Sequence, residues 1–356
     1  MTALRIPATD PIAQAQVPRE DMASLGGLLG RAPDSAVRIG AGRNSRVYRV
    51  ACADAQYAAK FYFKPTADGR DRLAVEYSSL QFLWMNGVRS IARPVCADPA
   101  RQVALYEFID GDAVEPAQAS PSDVAELVAL LRELRGLAGR DDAHALPPAA
   151  EAFFAPSGVV DSIRARLERL GGLDAKGPTY DALRRFLRQD FAPALALTGE
   201  RLMQLPGGEL PGHLRTLSPS DVGFHNSLRR KSGRLVFLDF EYFGWDDPAK
   251  TLCDALLHPL MRLSVERKLE LVRGLSGVFG GADPGWRERV ERLYPLFALK
   301  WCMIMLNEFR ADQIERRRYV DRSPEEVATI QQRQLDAARA MLGRAAEAFP
   351  YWGQDA

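Results

Sequence analysis

Asp221, Asn226 five residues later, and Asp239 at the end of the apolar run RLVFLDF are the oxygen-bearing side chains whose spacing makes the clearest chemical sense in this chain. The stretch LSPSDVGFHNSLRRKSGRLVFLD reads as a loop followed by a short strand. An Asp and an Asn from one loop, facing a second Asp at a strand end, can hold a divalent cation and leave one carboxylate to take the proton of a hydroxyl. That layout suits phosphoryl transfer, which depends on positioning and on neutralisation by Mg²⁺, a hard ion that prefers oxygen ligands. Asn226 and Asp239 are the candidate metal ligands and Asp221 the candidate base. Taken alone, the loop residues are also ordinary turn formers.

The elements that would position them lie upstream. VRIGAGRNSRVYRV reads as a strand, a glycine turn and a second strand, with Gly40, Gly42, Ser45 and Val47 spaced as in a phosphate-covering hairpin. A dinucleotide fold would place a helix after these glycines, whereas Arg46 to Val50 alternate like a strand. In QYAAKFYFK the alternation puts Lys60 on one face with Ala58, a residue small enough for a base to slide over, while nearby Lys64 reads as an exposed strand lysine. From Arg70 to Asn86, Leu73, Tyr77, Leu80 and Trp84 recur at helical spacing, and Glu76 borders that stripe. A buried acid needs a partner, and Lys60 is the obvious one. ARPVCADPARQVALYEFIDG reads as a hairpin, and Ser120-Pro121-Ser122-Asp123 opens a helix with inner residues Val124, Leu127, Leu131 and Leu134. Further helices are expected near 161–170, 180–191, 264–278, 284–310 and 324–348, with a short one near 22–29.

The words DVGFHN and LDFEYFGWDDPAKTLCD resemble the aminoglycoside phosphotransferase and choline kinase group of protein-kinase-like enzymes, over roughly residues 36–260. The resemblance implies an α+β, bilobal protein-kinase-like fold. A small antiparallel β N-lobe with one helix (36–111) would bind nucleotide, a larger, mostly helical C-lobe (112–356) would carry the catalytic loop and acceptor pocket, and 1–35 would be a partly flexible extension. It implies ATP or GTP with Mg²⁺ as cofactors. Asp221 would be the catalytic base, Asn226 and Asp239 would hold metal, and Lys60 braced by Glu76 would fix phosphates. The backbone at Glu107, Phe108 and Ile109 would meet the purine. The expected activity is transfer of the γ-phosphate to a hydroxyl of a small molecule such as an aminoglycoside, an amino alcohol or a sugar; the alternative is a catalytically idle nucleotide- or partner-binding relative. Two departures stand out: Pro219 replaces the group's His, and Gly223 replaces the Lys of protein kinases. Glu241, Asp246 and Asp247 are candidates for an acidic lip with Trp245 as its cation-π wall. Asp247-Pro248 can equally cap the next helix, and Asp254 would brace the catalytic loop. Asn307 and Glu308 close an apolar helix and are read either as acceptor-pocket groups or as a solvated helix end.

Composition bounds the rest. With 356 residues, 47% hydrophobic and 26% charged, the chain can bury a large core, and its net charge of +1 favours no polyanionic partner. The basic run Arg316 to Arg318 lacks interleaved aromatics, so no nucleic acid is expected. Four scattered cysteines and four unpaired histidines offer no zinc spacing and fit reduced residues of a cytoplasmic protein. No signal peptide or membrane-spanning run is expected, and oligomeric state is not readable.

Overall fold

The computed structural model describes residues 17–41, 45–63, 70–203, 208–318 and 324–352. The chain falls into two compact units. One is formed by Met1–Glu151, Thr216–Trp245 and Pro259–Gly274, the other by Ala152–Arg215, Asp246–His258 and Leu275–Ala356.

The first unit opens with helix α1 (Arg19–Leu29) and a five-stranded antiparallel sheet of β1 (Ser35–Ala41), β2 (Ser45–Cys52), β3 (Ala55–Tyr62), β4 (Pro94–Asp98) and β5 (Val103–Glu107). The spatial order is β1-β2-β3-β5-β4, so β3 lies between β2 and β5. Period-two alternation divides its faces. Tyr48, Val50, Ala59, Phe61, Val103 and Leu105 form one buried cluster that includes Leu25 of α1. This docking is stronger than the Ala/Pro/Gln/Gly-rich N-terminal composition announces. Leu25 is fully buried, and Asp21 accepts a two-pronged hydrogen bond from Arg46 and another from the Tyr48 hydroxyl.

Between β3 and β4 lies α2 (Arg72–Met85), capped by Asp71, whose side chain accepts from the Ala74 N–H. Its buried residues include Leu73, Leu80 and Leu83 together with Arg72 and Glu76. The chain then forms β6 (Gly111–Ala113) and α3 (Pro121–Leu137). Ser120 and Asp123 make a reciprocal capping box at the start of α3, and Val124, Leu127, Leu131 and Leu134 are buried as their spacing predicts. On its return to this unit the chain adds β7 (Thr216–Ser218), the loop with Asp221, and the pair β8 (Ser227–Arg230) and β9 (Leu235–Phe237), with β6 against β8. β10 (Gly244–Asp246) pairs with β7.

The second unit is helical: α4 (Pro156–Gly171), α5 (Pro178–Arg185), α6 (Ala192–Met203), α7 (Pro248–Leu257), the C-terminal end of α8 (Val265–Phe279), α9 (Trp286–Met305), α10 (Ala311–Arg318) and α11 (Pro324–Ala345). One correction concerns 186–203. A π-helical stretch, Phe186–Phe191, joins α5 to α6, so helix continues through Pro193 and Gly199, where the sequence suggests an end near Phe191 and a loop from Gly199. A register shift of this kind accommodates a proline's missing N–H. Among the described residues, no helix is long and apolar enough to cross a membrane.

Candidate active site

Lys60 sits on the central strand of the sheet, opposite Val47 of β2 and Ala104 of β5. Its side chain is nearly buried. The ammonium donates to Glu76 Oε2 at 2.6 Å and to Asp239 Oδ1 at 2.7 Å, and Glu241 Oε2 is 3.9 Å away. Burial alone would depress the lysine's pKa, but Asp239, Glu76 and Glu241 outweigh it, and Lys60 is held charged well above its ordinary value.

Glu76 reaches the lysine from α2 because its helical phase turns it inward. Its carboxylate also accepts from the Tyr62 hydroxyl at 2.8 Å and from the Phe240 N–H at 3.3 Å. Desolvation pushes its pKa up, against the pull of Lys60. Asp239 is two residues beyond β9 with a left-handed backbone, φ 67°, a conformation that Asp tolerates better than most residues. That turn aims its carboxylate back at Lys60.

The Asp221 loop is organised by its own backbone. Ser220 has φ 64° and its N–H donates to Ser218 Oγ at 3.0 Å. The Asn226 N–H donates to the Gly223 carbonyl, and the Asn226 amide nitrogen donates to the Asp221 carbonyl, both at 3.0 Å. The Asn226 carbonyl in turn accepts from the Leu238 N–H at 2.8 Å, linking the loop to the residue before Asp239. Gly223 is closely flanked: a Cβ there would lie 2.5 Å from Met261 Sδ and 2.7 Å from the His225 ring, so a side chain at this position requires those two to shift.

His225 escaped the sequence reading. It is buried, and its Nε2 lies 3.1 Å from Asp221 Oδ1. The signal was its position four residues after Asp221 and next to Asn226. Although Pro219 removes the upstream histidine, Asp221 keeps a histidine contact from downstream.

Among the residues expected to meet nucleotide, Gly40 pairs with Val47 after an irregularity at Arg38/Gly40, and Ser45 pairs with Tyr62. Gly42 lies outside the described residues, as does Lys64. Ala58 is opposite Arg49 and Tyr106. Glu107 ends β5: its N–H donates to Arg93 O at 2.8 Å, and its carboxylate accepts from Arg230 at 2.7 Å. The Phe108 ring lies 4.8 Å from the Arg49 guanidinium, and Ile109 is buried.

The expected acidic lip requires correction. Glu241 is buried and turned inward, 3.5 Å from Arg72 as well as near Lys60. Trp245 is half-buried, donates its indole N–H to Ala143 O at 3.1 Å and stacks on His144. In the second unit, Asp246 is fully buried and ion-paired to Lys250 at 2.6 Å, while Asp247 caps α7 and faces Arg289. The cations that hold Glu241 and Asp247, Arg72 and Arg289, lie far along the chain and are hidden from local sequence, whereas the partner of Asp246 is only four residues on. Asp254 accepts from Trp301 and pairs with Lys250. Glu308 is buried, with its carbonyl accepting from Gln331, so the solvated helix end is corrected too.

In sequence, the chain matches no protein-family model and no curated protein. In structure it has clear neighbours. A spectinomycin phosphotransferase, APH(9)-Ia, in complex with ADP and spectinomycin, aligns over 92% of this chain and 99% of its own, with a TM-score of 0.62 at 14% identity. A choline/ethanolamine kinase family protein from Mesorhizobium loti aligns over 92% and 96%, with a TM-score of 0.55 at 19% identity. The choline kinase LicA from Streptococcus pneumoniae aligns over 91% and 97%, with a TM-score of 0.56 at 15% identity. The group named from the sequence words and the group found by structure coincide. The chain has the α+β, protein-kinase-like fold of the aminoglycoside phosphotransferases and the choline/ethanolamine kinases.

Proposed function

We propose that the protein transfers the γ-phosphate of ATP or GTP, with Mg²⁺, to a hydroxyl of a small molecule. The observation that carries this reading is the ammonium of Lys60 held between Glu76 and Asp239, with Asn226 and Asp221 in the segment linked to Asp239 through Leu238. A charge-bearing lysine braced in this way is suited to phosphate oxygens. Asp221, 32% exposed at its side chain and oriented by His225, is suited to receive the proton of the attacking hydroxyl.

The donor set fits a magnesium ion. Asp239 offers a carboxylate whose side chain is 38% exposed. Asn226 commits its amide nitrogen to the Asp221 carbonyl, which leaves the amide oxygen as its ligating atom. Both are hard oxygen donors of the kind Mg²⁺ prefers. When bound, the ion would neutralise phosphate charge. In this reading residues 36–111 form the nucleotide-binding lobe and 112–356 carry the catalytic loop and acceptor pocket. The neighbours named for spectinomycin and choline support a small hydroxyl-bearing acceptor.

The test is nucleotide consumption across a panel of cationic and neutral alcohols with and without Mg²⁺. Metal-dependent ADP or GDP formation stimulated by one class of acceptor, and abolished by Asp239→Ala, is the expected result. Nucleotide binding without turnover on any acceptor would favour the idle relative instead.

A further inference from the structure

Lys60 and Glu76 are attended by a second layer that the phosphotransfer reading leaves unused. Tyr62 follows Lys60 by two residues on β3 and so shares its face. Its hydroxyl donates to Glu76 Oε2 at 2.8 Å, on the same oxygen that accepts from Lys60. With Tyr62's single proton spent on the carboxylate, the 2.7 Å contact between the Tyr62 and Tyr106 hydroxyls has Tyr106 as donor. Tyr106 stands opposite Ala58 on β5, and Ala104 stands opposite Lys60, so small residues leave this face open for the two rings to meet. The Tyr62 ring also lies 5.1 Å from the Lys60 ammonium. Tyr62 and Tyr106 are buried.

Resting on the proposed nucleotide site, we infer that Tyr62, steadied by Tyr106, is a positioning residue whose hydroxyl fixes the Glu76 carboxylate in the orientation that grips Lys60. The need for it follows from the geometry. Lys60 divides its hydrogen bonds between Glu76 and Asp239, at nearly equal distances. A carboxylate held by the ammonium alone is free to turn with it. One held also by a hydroxyl chain and by the Phe240 N–H keeps its place, so the lysine has a fixed anchor whatever Asp239 does. The other charges facing this group are Glu241, 3.9 Å from the Lys60 ammonium, and Arg72, 3.5 Å from Glu241.

Tyr62→Phe isolates the hydroxyl, because the ring and its approach to Lys60 remain. The expected result is a loss of about tenfold in kcat/KM for nucleotide and in ADP affinity by calorimetry, the scale of one hydrogen bond to a charged group, with the KM for the alcohol acceptor unchanged. Tyr106→Phe should give a smaller loss of the same sign and still reports on the chain if Tyr62→Phe fails to fold. In a Glu76→Gln background, Tyr62→Phe should cost nothing further. An equal loss in both backgrounds, or unchanged nucleotide parameters in Tyr62→Phe, would overturn the inference alone. Absence of binding of ADP, ATP, GDP and GTP alike by the unaltered protein would overturn the nucleotide site and this inference with it.

Discussion

Asp221 and Asp239 carry the same functional group, and their neighbours place them in different surroundings. Asp239 is clasped by an ammonium at 2.7 Å, whereas Asp221 lies beside an imidazole nitrogen at 3.1 Å and is braced through its backbone by Asn226. Asp221→Asn keeps the shape and removes the proton acceptor. It should lower turnover by roughly 10²- to 10⁴-fold with nucleotide affinity nearly unchanged, measured by steady-state kinetics and by ADP titration. Full turnover in that variant would remove Asp221 from the role of base. At this scale, the residues legible in the sequence were those whose spacing is local: Asp221 with Asn226, and Lys60 with Ala58. His225 was local but carried no recognised pattern. The Tyr62–Tyr106 pair joins residues far apart in the chain, and nothing in either tyrosine's neighbourhood announces the other. The acidic lip failed for a different reason. Asp246 has a lysine four residues on, at Lys250, and Asp254 four beyond that, a spacing that signalled a helical ion-pair ladder before it signalled a ligand site.

The elements were more legible than the contacts between them. Strand alternation in β2 and β3 and helical spacing in α2 and α3 are properties of short windows, and each element formed where its pattern lay. The docking of α1 was not legible, because Gly26 and Gly27 dilute its propensity and its anchor, Arg46, lies in β2. Yet α1 covers the sheet face opposite Lys60, with Leu25 inside the Tyr48, Val50 and Phe61 cluster. Leu25→Ala should therefore lower the unfolding free energy by about 2–5 kcal/mol, the range for emptying a packed leucine site, in urea titrations of the full chain. A change below about 0.5 kcal/mol, typical of a surface position, would mean that the helix does not dock. Because Asp21 holds Arg46 and Tyr48 in β2, Asp21→Ala should also destabilise, by leaving a partly buried guanidinium without its carboxylate. Thermal unfolding of both variants tests whether the two contacts act through the same helix.

Across the whole molecule each unit buries an ionic cluster of its own. The first centres on Lys60. The second centres on Lys250, fully buried with Asp246 at 2.6 Å and Asp254 at 3.1 Å, the latter also accepting from the Trp301 indole. Two carboxylates around one ammonium leave a negative charge out of water, and burial dominates: Asp246 is pushed up from an ordinary 3.8 to about 6. Because the folded protein binds that proton more tightly than the unfolded chain, the group's contribution to stability is fully present below about pH 4 and is lost as pH rises through 6. Asp246→Asn removes this titration while keeping the volume. The unfolding free energy of the natural protein minus that of the variant should therefore fall by up to about 3 kcal/mol between pH 4 and pH 6.5 and stay level above it. Urea titrations across that interval measure the difference directly. A difference that rises with pH would mean that attraction to Lys250 outweighs the loss of hydration, and the second cluster would then be an ion pair that strengthens the fold at neutral pH.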